Sequence, residues 1–325
     1  ANNQNPERYE KLAHRISPGK SYNKMNYPTY VLVTPVKNEE KTIEITIQSV
    51  INQTLLPQEW VIVSDQSTDA TDDIVQCYAE SHKFINFVKL HGKQERSFAS
   101  VVYVTEAGVK AIKSTNYEYL GLLDADVSFG PDYYEVLLRK FNMDPKLGLA
   151  GGVVVDVVDG KVIKGRQYME NVAGATQFFR KECFESLGGL VAIPEGGWDA
   201  ITCVVARANG FRTATFADLR MEHLKPRNVS KGNIVSRYWQ LGIREYTLGY
   251  HPLFETLKCL SRSLLPPVII GSSVRFAAFF WCHLMRRKRM IDRRLINMIQ
   301  DEQMCRILPW LKFSKRNRIF SRQGH

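Results

Sequence analysis

The chain has 325 residues, 44% of them hydrophobic, with 44 Lys and Arg against 33 Asp and Glu. That length exceeds one minimal core, so one large α/β domain or a domain with an appendage fits. The apolar fraction excludes a disordered or collagen-like chain, and the lack of internal repeats excludes a solenoid. The charge is uneven: residues 225–325 carry 20 Lys and Arg against 5 Asp and Glu, and residues 1–224 carry 24 against 28. The basic surplus therefore belongs to a C-terminal region and bears on partners, nucleic acid or an anionic membrane, and not on the fold. Six cysteines without a C-x-x-C pair, and a polar start without an apolar signal segment, give the expectation of reduced thiols in a cytoplasmic protein.

In chain order, residues 1–28 read as an irregular arm. YVLVT (30–34) is a β-branched apolar run that reads as a buried strand. Asn38 is expected to cap a helix whose apolar face is Ile43, Ile47, Val50 and Ile51. WVIVSD (60–65) is a second strand, followed by a helix through Ile74, Cys77, Tyr78 and His82. NFVKL (86–90) is a third strand, followed by a helix through Val101 to Ile112, and YEYLGLL (117–123) a fourth that runs into Asp124-Ala125-Asp126. Strands alternating with helices predict a mostly parallel, doubly wound sheet with helices on both faces. From about 147 the texture shifts to shorter mixed strands, LGLAGGVVVDVV, KVIKG and ATQFF. EGGWDAITCVVARANG (195–210) then reads as loop and helix, and RTATFA (212–217) as a strand. Helical pattern broken by Pro252, Pro266 and Pro267 fills the rest.

Ligands of such sheets sit beyond the C-terminal ends of the strands, where Pro35–Glu39, Asp65 and Asp124/Asp126 fall. In an extended segment residues i and i+2 point the same way, so Asp124 and Asp126 can share one hard cation. A D-x-D alone arises by chance about once per chain of this length; its place after LGLL and before a Ser-Phe-Gly-Pro turn gives it meaning. Asp65 ends a strand where a carboxylate could accept a nucleobase N–H, whereas Ser67, Thr68 and Asp69 read as helix caps. Asp199 follows Gly196-Gly197-Trp198 and suits either a partly desolvated general base or a helix N-cap. His223 reads as structural or as a ligand. No G-x-x-x-x-G-K-[ST], G-x-G-x-x-G, G-x-S-x-G or H-E-x-x-H occurs.

TPVKNEE, VSDQSTDAT, LLDADVSFGPDYY and EGGWDA followed by MEHLKPR, in this order over about 30–225, resemble the family 2 glycosyltransferases. RSFASVVYVTEAG, GATQFFRKECFESLGGL and the later LGYHPLF add to the likeness, the last to bacterial members thought to build surface polysaccharides. The resemblance implies a GT-A fold over 29–225, with a nucleotide-binding half (29–126) and an acceptor half (127–225). It implies inverting, metal-dependent transfer from a nucleotide-sugar, a UDP-sugar before others, to a glycan or lipid-linked acceptor. On it, Pro35, Lys37 and Glu39 line the nucleoside site, Asp65 holds the base, and Arg96 reaches the donor phosphates. Asp124 approaches the ribose and sugar, Asp126 with Asp124 and His223 holds Mg²⁺ or Mn²⁺, and Asp199 is the general base. Gln66 stands where the family commonly has Gly, and Trp198 where it often has Glu.

Two other readings stay open: a sugar nucleotidyltransferase, whose glycine-rich first loop is replaced here by Pro35-Val36-Lys37, and a nucleic-acid binder using the tail, for which no module signature exists. Within 226–325, SLLPPVIIGSSV and FAAFFWCHLM are each shorter than the roughly 20 residues a spanning helix needs. With RRKR (286–289) beside them, they read as interfacial helices on an anionic inner membrane face, or as a helical subdomain over the acceptor site.

Overall fold

A computed structural model describes residues 28–91, 99–158, 161–163, 168–225, 234–265, 267–289 and 291–308. The N-terminal arm expected at 1–28 lies almost wholly outside them, as does Arg96. In chain order the elements are β1 (Tyr30–Val36), α1 (Ile43–Ile51), β2 (Glu59–Ser64), α2 (Thr71–Ser81), β3 (Ile85–Lys89), α3 (Ser100–Lys110) and β4 (Tyr119–Leu122). There follow β5 (Val127–Phe129), α4 (Tyr133–Met143), β6 (Leu147–Val158), β7 (Lys161–Ile163), a 3₁₀ turn (Gly174–Thr176), β8 (Phe178–Arg180), α5 (Lys181–Ser186), α6 (Trp198–Ala208) and β9 (Arg212–His223). The C-terminal region contributes α7 (Ile234–Thr247), α8 (Pro252–Ser261), α9 (Ile270–Leu284) and α10 (Arg293–Ile307).

One sheet runs β3-β2-β1-β4-β8-β6-β9-β5, with β7 added to β6. β3, β2, β1 and β4 pair in parallel, as the alternating strands and helices predict. The second half is mixed: β8 is antiparallel to β4 and β6, β9 is parallel to β6, and β5 is antiparallel to β9. Every residue of β2 is buried, because helices cover both faces and the strand can be apolar throughout. Leu32, Trp60 and Ile62 face α1 and α4, whereas Val31, Val33, Val61 and Val63 face α3 and α6.

Two local expectations change. The first helix begins at Ile43 and not behind Asn38, which adopts φ 55° and donates its conformation to a loop instead. β9 runs on to His223, past the RTATFA segment, because β6 and β5 hold it from both sides. Ala217, Asp218 and Leu219 form an irregularity inside the strand, where the register jumps between Gly152 and Val153.

Candidate active site

The C-terminal ends of β1, β2 and β4 open on a cleft of about 300 Å³ lined by Pro35, Lys37, Glu39, Asp65, Asp124 and Asp126. Six of the residues named from sequence therefore meet in one place. Two loops are clamped together at its rim: the Asn38 side-chain oxygen accepts from the Thr68 N–H at 2.8 Å, and the Thr71 hydroxyl accepts from the Glu39 N–H at 2.7 Å. Ser67 and Thr68 thus bind the first loop and not the helix end they were expected to cap; Asp69 alone accepts from the α2 N–H of Thr71 at 3.1 Å. Gln66 adopts φ 56°, so the position where a glycine is common keeps a glycine conformation here, at a steric cost of about 1–2 kcal/mol.

Asp65 is held by Lys37, whose Nζ lies 2.9 Å from Oδ2. Its Oδ1 is buried and accepts no hydrogen bond among the described residues. A buried carboxylate oxygen without a donor is costly, and a ligand N–H would supply what it lacks.

Asp124, Asp126 and His223 offer ligand atoms all within 4.8 Å of one another. Thr46, fully buried on α1, fixes the segment between the two carboxylates. Its Oγ1 lies 2.9 Å from the Ala125 carbonyl and 2.8 Å from that of Val127, and accepts from the Val127 N–H at 3.1 Å. His223 Nδ1 lies 2.6 Å from the Lys225 carbonyl, which can only accept, so Nδ1 carries the proton. His223 Nε2, the other ring nitrogen, lies 3.5 Å from Asp126 Oδ1 and is the atom that would ligate an ion. A ring N–H tied to a carbonyl is the usual way of orienting a metal-binding imidazole, and two carboxylates with one imidazole suit Mg²⁺ or Mn²⁺. The residues present fit the ion. Burial pushes the Asp126 carboxyl above its ordinary range; His223 opposes this, Glu39 adds to it and Lys225 opposes it. Lys225, unnoticed in the sequence although two residues past His223, pairs with Glu39 and so ties the end of β9 to the β1 loop.

Asp199 lies in the first turn of α6, inside the helix, and is not its N-cap; that position is Gly197, with φ 96° after Gly196 at 85°. The Gly196-Gly197 pair supplies the left-handed backbone that the sequence suggested. Asp199 Oδ2 accepts from the Gly174 N–H at 3.3 Å, and Gln177 Nε2 donates to its carbonyl at 3.2 Å. A Cβ on Gly174 would stand 2.9 Å from the Trp198 ring and 3.5 Å from Asp199 Cβ, so only glycine allows this approach. The same turn accepts the Asp124 N–H at the Ala175 carbonyl, 3.4 Å away. One three-residue turn thus holds Asp124 of the first cleft on one side and Asp199 on the other. Asp199 does not line that cleft. It lines a second cavity of about 400 Å³ closed by α7–α10.

The helices of the C-terminal region pack on the sheet domain through Leu248, Ile291, Ile296 and Ile299 against Ile193, Ile201 and Val204. Arg207 of α6 grips Glu302 of α10 with two bonds of 2.6 and 2.8 Å. Glu245, Glu255, Lys258 and Arg275 form a buried charge cluster that joins α7, α8 and α9. No helix among the described residues is long and apolar enough to cross a membrane.

Known proteins bear on this arrangement in three ways. The poly-β-1,6-N-acetyl-D-glucosamine synthase of Staphylococcus aureus strain COL is 32% identical over 216 residues, 66% of this chain and 46% of that protein. The synthase of the same name from Staphylococcus epidermidis is 30% identical over 115 residues, 35% of this chain and 26% of that protein. The chain therefore spans less than half the length of these relatives. Among solved structures, the mannosyltransferase PcManGT of Pyrobaculum calidifontis, in complex with GDP-Man and Mn²⁺, superposes with a TM-score of 0.52 at 16% identity over 95% of this chain and 89% of that one. S. aureus TarS 1-349 in complex with UDP-GlcNAc superposes with a TM-score of 0.50 at 13% identity over 85% and 81%. These likenesses show the fold, a GT-A α/β sheet with a helical C-terminal region. The family model for glycosyl transferase family 2 matches residues 31–197, which hold both the cleft carboxylates and the Gly-Gly turn before Asp199, and the chain belongs to that family.

Proposed function

We propose that this glycosyltransferase moves a sugar from a nucleotide-sugar, a UDP-sugar before others, to a hydroxyl of a glycan or lipid-linked acceptor in polysaccharide or glycolipid synthesis, with inversion and with a divalent cation. The observation that carries this reading is the convergence of Asp124, Asp126 and His223 beside a cleft whose far wall holds Asp65. Asp65 Oδ1 receives the base N–H; Lys37 holds that carboxylate in place, and Pro35 and Glu39 shape the nucleoside wall. Asp124 takes the ribose and sugar side. Asp126, Asp124 and His223 hold Mg²⁺ or Mn²⁺, which supplies charge stabilisation to the departing diphosphate. Arg96, outside the described residues, is assigned to the donor phosphates on its resemblance alone.

The acceptor hydroxyl comes from the cavity of Asp199. Its oxygen forms a bond to sugar C1 as the bond from C1 to the diphosphate oxygen breaks, its proton passes to Asp199, and the electron pair leaves with the nucleoside diphosphate. A single displacement inverts C1. The names of the relatives, as synthases of a poly-N-acetylglucosamine, and the nucleotide-sugars bound in TarS and PcManGT support this substrate class.

The C-terminal region supports a peripheral place on the inner membrane face. Leu253, Leu257, Leu260 and Leu264, at helical spacing on and just beyond α8, are all exposed. The test of the reaction is a screen of UDP- and GDP-sugars for nucleotide release with Mg²⁺, Mn²⁺ or EDTA. Release that needs a metal and one donor class is the expected result; release unaffected by EDTA would remove the cation from the account.

A further inference from the structure

The second cavity is built from cations. Arg244, Lys258, Arg262, Arg275 and Arg306 line it together with Asp199. Three of the five are already engaged. Lys258 and Arg275 belong to the buried cluster with Glu245 and Glu255, and Arg306 lies 3.7 Å from Glu170. Arg244 and Arg262 form no ion pair among the described residues. Arg244 Nε is buried and has no hydrogen-bond partner, and Arg244 lies close enough to Arg275 for its charge, after burial itself, to push that guanidinium down to about 10. Arg275 therefore stays charged, and the two carboxylates of the cluster, Glu245 and Glu255, are taken by Lys258 and Arg275, which leaves Arg244 beside them without an ion pair. A buried charged donor left unsatisfied is among the least favourable groups a fold can carry, unless a ligand completes it.

Arg244 is also next to the reaction centre. Its Cδ would stand 3.7 Å from a Cβ on Gly197, two residues before Asp199. The cavity shares no lining residue with the donor cleft, so these cations do not face the place given to the donor phosphates. Its volume of about 400 Å³ falls within the roughly 300–1,000 Å³ of small-molecule sites. Guanidinium forks match phosphate geometry with paired N–H bonds, and Arg244 and Arg262 are the two cations of this cavity that form no ion pair among the described residues.

We infer that the acceptor carries a phosphate or diphosphate group, and that Arg244 and Arg262 hold it in the cavity beside Asp199 while the attacked hydroxyl turns toward the donor cleft. This rests on the proposed sugar transfer and names the class of its acceptor. A phosphoryl group of this kind comes either from a lipid-linked sugar or from a soluble sugar phosphate. Arg262 follows directly on α8, whose Leu260 is exposed with Leu264 beyond it, so both sources can reach it.

The test is calorimetric titration of the full chain, saturated with UDP and Mn²⁺, with farnesyl diphosphate, glucose 1-phosphate and methyl glucoside. Both phosphorylated probes are expected to bind and the neutral sugar not. Arg244→Gln and Arg262→Gln should each weaken them at least tenfold while UDP affinity and melting temperature stay as in the wild type, and Arg244→Lys should recover part of the loss. Tighter binding of farnesyl diphosphate than of glucose 1-phosphate assigns the lipid source, and equal binding the soluble one. Phosphorylated probes that bind no better than methyl glucoside, or equally well to both variants, would overturn the inference even with UDP bound. A loss of UDP affinity in the Arg variants would overturn it too, by returning the cations to the donor. Failure of UDP itself to bind the wild type would instead strike the sugar-transfer reading.

Discussion

Asp65 and Asp126 are both carboxylates at strand ends, but their surroundings prepare them for different partners. Asp65 has one oxygen on Lys37 and one with no donor, so it waits for a hydrogen bond. Asp65→Ala should weaken nucleoside diphosphate binding by about 1.5–3 kcal/mol, roughly ten- to a hundredfold, with the melting temperature little changed. Calorimetry decides it, and unchanged affinity would make Asp65 a turn residue. Asp126 is pushed up by burial, so protons compete for it at a higher pH than for an ordinary carboxylate. The sign follows: an ion binds the charged form, so lowering the pH into this raised range should release it, by up to about tenfold in affinity per pH unit below the Asp126 pKa. Mn²⁺ titrations between pH 8 and pH 5 test this on the wild type. Asp126→Ala should abolish metal-dependent donor binding altogether, and full activity of that variant in EDTA would end the metal assignment.

At the scale of elements, what was legible in the sequence followed from periodicity and what was hidden followed from pairing. β1, β2 and β4 announce themselves as short apolar runs because helices bury both their faces, and the carboxylates at their ends could be placed from that alone. His223 was harder. Only pairing of β9 with β6 and β5 carries it to Asp126, and no local signal records which strands lie side by side. Asn38 and Asp199 both suit a helix cap by residue type, and in neither case is it the cap: that position is Thr42 for α1 and Gly197 for α6. Thr46 left no signal at all; between Ile43 and Ile47 it reads as one more residue of a buried face, yet its hydroxyl pins the backbone of Ala125 and Val127. Thr46→Val keeps the volume and removes those bonds. It should cost about 1–3 kcal/mol in chemical denaturation and weaken donor binding, and Thr46→Ser should restore the binding. A valine variant that binds donor like the wild type would show that the strand end holds itself.

Over the whole molecule, the basic C-terminal region serves two faces. Inward, Ile291, Ile296 and Ile299 complete a core with Ile201, Val204 and Leu248, so cutting the chain near Tyr250 would bare that core and could not test membrane binding alone. Outward, the leucines of α8 are free of the core and can be changed without it. Leu257, Leu260 and Leu264 replaced together by Gln should release the protein from anionic liposomes in flotation at low salt, with melting temperature within a few degrees of wild type. A triple variant that still floats would leave the surface basic residues as the sole attachment. Between these faces, the Gly174–Thr176 turn bonds Asp124 of the first cleft on one side and Asp199 of the second cavity on the other, and the proposed function gives the cleft to the donor and the cavity to the acceptor. That division of labour is the central claim, and Asp199→Asn tests it most directly. Asn can still accept from the Gly174 N–H but cannot take the acceptor's proton, so turnover should fall by about 10²–10⁴-fold while nucleotide affinity and melting temperature stay unchanged. A variant that retains more than about a tenth of wild-type turnover would contradict the account and pass the role of base to another carboxylate.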